Sequence, residues 1–139
     1  FAALRRRLQR DFQGTPVQVE TGQTDAAAFL RVAVPQPHGF EASRVAVRPA
    51  LAAVLDRLVE PLQQQPRWTI RIAGPVDAKG SAWIGPDRAN AVRDYLVMKG
   101  VAASRFTAPQ RSAGGSPGAS ERTEITLIDL RGAPASGRP

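Results

Sequence analysis

Two side chains in the middle of the chain can do chemistry together. They are the carboxylate of Asp77 and the guanidinium of Arg88, within GPVDAKGSAWIGPDRANAVRDYLVMKGV. An acid and an arginine brought to one place can hold a ligand that carries both an ammonium and a carboxylate. The acid takes the ammonium, and the planar guanidinium forks onto the carboxylate. The same two groups can instead pair with each other and fasten a loop to a helix. Residue types alone leave both readings open. Asp87, beside Arg88, is accounted for by the helix dipole.

The elements around the pair decide whether it can form. Trp68 to Ala73 alternates, with Trp68, Ile70 and Ile72 on one face, and ends at Gly74-Pro75. Gly80 reads as a turn residue in the following loop. A helix is predicted from about Pro86 to Lys99, with Arg88 in its first turn and Gly100 as its stop. It turns Ala89, Val92 and Leu96 inward, together with Tyr95 or Met98. An anion at the start of that helix gains from the helix's positive end. Trp83, where loop meets helix, can cover a pocket, stack on a sugar or pack at the rim of the core.

Further elements follow from periodicity. AALRRRLQRDF reads as a short basic helix with Leu4, Leu8 and Phe12 on one face, closed by Gly14 and Pro16. Its arginines form a solvated face or touch an anionic lipid or glycan. Val17 to Val19 and Phe29 to Val34 alternate as a hairpin turning over Thr21 to Asp25. Phe40 is placed to plug the core. Val47 to Gln64 is a helix with a broad apolar stripe, loosened or kinked at Pro61. A short strand is expected near Phe106 to Ala108. After it come a Gly/Ser-rich loop, a last strand from Thr123 to Leu130 with its Ile125 and Leu127 face under the helices, and a disordered tail. The spacing implies a βαβαβ-type α/β sandwich: a mixed sheet of about four strands with two main helices packed on one face. The domains are residues 1–16, a basic helix or linker; 17–131, the folded unit; and 132–139, the tail.

The run from Gly74 to Val101 resembles the OmpA-like peptidoglycan-binding domain of outer-membrane proteins, Pal-type lipoproteins and flagellar stator proteins. That family reads roughly G-H-T-D-x-x-G, a short loop with Asn, then L-S-x-x-R-A-x-x-V-x-x-Y-L-x-x-x-G-V. Arg88-Ala89, Val92, Tyr95-Leu96 and Gly100-Val101 fall in register. SERTEITL at 120–127 occupies the place of the family's N-R-R-x-E-I. The resemblance covers about Phe29 to Leu130. It departs at four points. Pro75-Val76 replace His-Thr, four residues and the Asn are missing before Ile84, Gly85 replaces the capping Ser, and only the second arginine of the triplet survives, as Arg122.

The resemblance implies that Asp77 and Arg88 hold the free ammonium and carboxylate of diaminopimelate in the peptidoglycan stem peptide. Gly80 and Arg122 would shape the same site. The implied function is non-catalytic anchoring of an envelope protein to the cell wall in the periplasm of a Gram-negative bacterium, tethered to the outer or inner membrane. Peptidoglycan is then the partner, together with other envelope proteins. The alternative is a degenerate domain that no longer binds peptidoglycan and serves as a structural or protein-interaction module of an envelope complex.

Composition narrows the remaining classes. The 139 residues suit one domain. No apolar run approaches the roughly 20 residues a membrane helix needs, and FAALRRRLQR has no signal-peptide core. The chain begins with Phe rather than Met, so an export signal or membrane anchor is expected upstream. There is no cysteine, which removes disulfides and thiolate chemistry. His38 is the lone histidine and reads as a loop residue; no catalytic triad, metal site or cofactor is expected. The net charge of +7 suits an anionic partner or reflects a GC-rich genome that favours arginine. Nucleic acid is not expected, since Phe29, Trp68 and Phe106 give only one aromatic per strand.

Overall fold

The computed structural model describes residues 1–24, 26–36, 38–41, 44–76, 84–107, 110–111 and 122–130. Asp77, Gly80 and Trp83 lie outside the described residues, as do most of the Gly/Ser-rich loop and the tail.

Helix α1 spans Ala2–Asp11. Leu4 and Leu8, one turn apart, enter the same core cluster as the sheet and the other helices. A helix this short gains its stability from such docking rather than from propensity. Phe1 packs on Trp68 with ring centroids 4.4 Å apart.

Strands β1 (Gln18–Gln23) and β2 (Ala28–Pro35) form the antiparallel hairpin. The turn lies later than the sequence suggests, with the Thr24 amide donating to the Ala27 carbonyl at 2.8 Å. Pairing runs on through Thr21 and Gly22 because the Phe29 ring lies over Gly22, where any Cβ would overlap it. The cross-strand aromatic supplies the contact that glycine lacks.

Helix α2 (Pro49–Gln64) buries Leu51, Val54, Leu55, Leu58 and Leu62. Pro61 stays inside the helix, and the Gln65 amide donates to its carbonyl at 3.0 Å. The helix end is gathered by Arg105. Its Nη1 donates to Leu62 O and its Nη2 to Gln65 O, each at 2.6 Å. Those are carbonyls that a helix C-terminus otherwise leaves unpaired. Burial pushes the Arg105 guanidinium below its ordinary pKa.

Strand β3 is Thr69–Gly74, helix α3 Ile84–Met98, strand β4 Gln110–Arg111 and strand β5 Arg122–Asp129. The sheet order is β1-β2-β5-β3-β4. Among the described residues, β3 and β4 run parallel and the other strand pairs antiparallel. The sheet is thus mixed, as expected, with a two-residue edge strand as its fifth member. Of the strand expected near Phe106 to Ala108, Phe106 forms a parallel bridge to Ile70, and Ala108 lies outside the described residues.

Register fixes the faces. Leu127 stands between Leu30 and Ile70, and Ile125 between Val32 and Ile72. These rows, with Phe40 and the inner faces of the helices, form one core. Helices α1, α2 and α3 therefore cover one face of the sheet. The other face presents Arg31, Thr126 and Arg71 in a row, with Glu20 opposite Arg31. In α3, Ala89, Val92 and Leu96 are buried. Tyr95 is half-buried, while Met98 is 70% exposed.

Candidate functional site

Strand β3 ends at Gly74 against the first turn of α3. A Cβ at Gly74 would overlap the Gly85 carbonyl and stand 2.9 Å from the Ala89 amide nitrogen and 3.0 Å from Arg88 Cβ. Glycine is therefore a packing requirement here. The close approach brings the start of α3 to the end of β3 and sets Arg88 beside Pro75.

Arg88 is completely buried, with 0% exposure. Among the described residues, its guanidinium reaches three backbone carbonyls. Nε donates to Arg44 O at 2.8 Å, Nη1 to Pro75 O at 2.9 Å and Nη2 to Glu41 O at 2.9 Å. The group lies over the Phe40 ring, 5.3 Å from its centroid. One arginine thus joins the loop before α2, the end of β3 and the first turn of α3. The planar fork with fixed donor directions makes this possible; an ammonium could not span three acceptors so placed.

The structure places the other expected site residues as follows. Asp77 and Gly80 lie outside the described residues. Arg122 opens β5 opposite Pro35, on the sheet face away from the helices. Its Nε donates to Glu124 Oε2 at 3.0 Å, two residues on and therefore on the same side of the strand. Arg122 also lines an open depression of about 250 Å³ with Gln18, Glu20 and Arg31. Arg31 there pairs with Glu20 at 2.6 Å. The Arg122 and Arg88 side chains thus occupy opposite sides of the sheet.

Sequence reasoning missed the partners of Arg88. Glu41, Arg44 and Pro75 act through backbone oxygen, which every residue carries, so no residue type could signal them. Phe40 was legible as a core plug, but its second role under the guanidinium was not.

Comparison with solved structures decides the fold. The cell wall anchor of the T6SS from Pseudomonas aeruginosa superposes with a TM-score of 0.70 at 24% identity, covering 91% of this chain and 96% of that one. The OmpA-like domain of FopA1 from Francisella tularensis superposes with a TM-score of 0.58 at 9% identity, over 82% and 81% of the two chains. The chain folds as an OmpA-like domain. In sequence, the chain is 36% identical over 71 residues to a peptidoglycan-associated lipoprotein of Rhizobium meliloti. That match spans 48% of this chain and 40% of the relative. No family model matches the chain. Among the described residues, no helix is long and apolar enough to cross a membrane.

Proposed function

We propose that this OmpA-like domain binds peptidoglycan without catalysis, through the diaminopimelate of the stem peptide, and so anchors an envelope protein to the cell wall in the periplasm. Asp77 takes the free ammonium and Arg88 the carboxylate. Gly80 shapes the connecting turn. Arg122, on the far face, supports the end of β5 rather than touching ligand.

The observation that carries this reading is the fixation of Arg88. Its guanidinium is ordered by three carbonyls in the free domain, so binding costs little side-chain entropy. A carboxylate is also the better acceptor. Charge-assisted hydrogen bonds are roughly twice as strong as neutral ones, so a ligand carboxylate can take over from the Glu41 carbonyl on Nη2. The names of two similar proteins, a cell wall anchor and a peptidoglycan-associated lipoprotein, agree with the reading.

Titration of the labelled domain with a diaminopimelate-containing muropeptide, followed by NMR, tests it. Saturable shifts around residues 74–90, abolished in Asp77→Ala and weakened in Arg88→Lys, are expected. A second reading is favoured by the complete burial of Arg88: the arginine acts only as an internal clamp, and the domain is a structural or protein-interaction module. Absence of shifts at millimolar muropeptide would select it.

A further inference from the structure

Helix α1 carries its charge against local electrostatics. Leu4 and Leu8 enter the core. Helical periodicity then puts Ala2, Ala3, Arg6 and Arg10 on the opposite side, where all four are exposed. Arg6 and Arg10 are one turn apart and make no hydrogen bond or ion pair among the described residues. Like charges at that spacing destabilise a helix. The first turn holds no acid, and arginines near it oppose the positive end of the helix. On the flanks, Arg7 reaches Glu60 only at 3.5 Å, between exposed side chains, and a pair that open is worth little. The Nε of Arg5 is buried without a hydrogen-bond partner among the described residues. Asp11, the one acid of α1, approaches Arg57 of α2 at 3.8 Å instead. A local rule broken without internal compensation points to a partner outside the fold.

We infer that the outer side of α1 is a docking surface for the anionic phospholipid headgroups of a bilayer. This proposal stands apart from the stem-peptide reading. The charge of the face selects an anionic partner. Its shape selects a plane: Arg6 and Arg10 stand on the outer ridge of a helix, and the short side chains of Ala2 and Ala3 let that ridge lie flat. Arginine suits phosphate because its fork donates two parallel hydrogen bonds. Leu4 and Leu8 fasten the ridge to the domain. Arg7 and Asp11 meet the second half of α2, whereas Arg88 holds the segment that precedes α2. The ridge and Arg88 thus lie toward opposite ends of that helix, and occupation of one leaves the other open.

The test is co-sedimentation of the whole chain with vesicles of phosphatidylcholine alone and of equal parts phosphatidylcholine and phosphatidylglycerol. The wild type should sediment with the anionic vesicles only, and less so as salt screens the surface. The double variant Arg6→Gln, Arg10→Gln keeps good helix formers at exposed positions, so it should fold with an unchanged or raised Tm. Each arginine near an anionic leaflet is worth about a fivefold change in affinity, so this variant should bind on the order of thirtyfold more weakly. A second double variant, Arg71→Gln, Arg93→Gln, has the same net charge but alters the far sheet face and α3; it should bind nearly as the wild type does. Equal loss in the two variants would mean that overall charge, not α1, drives binding, and would overturn the proposal. So would wild-type binding that ignores phosphatidylglycerol, or no binding at low salt.

Discussion

Gly74 and Gly85 meet backbone to backbone, with no room for a Cβ on Gly74 beneath the Gly85 carbonyl. This contact sets the separation of β3 and α3, and with it the reach of Arg88 to Pro75. Gly74→Ala should therefore push the helix away and break the Arg88 Nη1 bond. Overpacking of this kind costs about 1–3 kcal/mol or more. Chemical denaturation measures the loss, and an unchanged midpoint would contradict the contact.

The clamp itself predicts an asymmetry between two variants. Arg88→Ala leaves the carbonyls of Glu41, Arg44 and Pro75 without their donor and empties a buried site. Removing one partner of buried polar groups costs about 3–5 kcal/mol. Arg88→Lys keeps the charge but cannot span the three acceptors, so it should fall between alanine and wild type. Urea titrations of the three proteins give the order; Lys equal to Arg would show that the fork is irrelevant.

Thr123 faces the helices at the start of β5, and its hydroxyl is buried without a hydrogen-bond partner among the described residues. Valine has the same shape and no polar atom to desolvate. Thr123→Val should raise stability by about 1 kcal/mol, the lower end of the cost of an unsatisfied buried group. A lowered Tm would mean that the hydroxyl has a partner in solution.

Helix α1 is predicted to matter for the domain as a whole. Leu8 is 0% exposed and sits in the common core. Leu8→Ala should cost about 2–5 kcal/mol in the global unfolding transition. If only the first residues gained amide exchange while the global midpoint stayed put, α1 would be an independent appendage.

Tyr95 joins α3 to α2 by donating its hydroxyl to Asp56 Oδ1 at 2.6 Å. The hydrogen bond to Asp56 is the main cause holding its pKa above the ordinary 10.0, with burial and the nearby carboxylate charge adding to it. With the folded value raised, the contribution to stability is complete below the unfolded pKa. It is lost as pH rises through the folded value. The chain has one tyrosine, so absorbance near 295 nm reports it directly. The midpoint should lie above 10.0 in the wild type and move down in Asp56→Asn.

Much of this domain is legible from residue order. Leu51 to Leu62, the inward positions of α3, and the alternation through Ile70–Ile72 and Ile125–Leu127 carry their burial in their periodicity. The register of Arg88, Tyr95 and Gly100 carries the resemblance to the OmpA-like domain. These features are local, and helix and strand periods translate them directly into faces. Tertiary structure alone decided the rest. Whether Arg88 meets solvent or three carbonyls depends on backbone atoms from two distant segments. Arg122 falls on the far side of the sheet because strand parity and the β2–β5 register place it there. The hairpin turn moved because Phe29 shields Gly22 across the strands. For Arg88 and Arg122 the deciding partners are remote in sequence and act through backbone or position, and the Phe29 ring meets Gly22 only once the two strands pair.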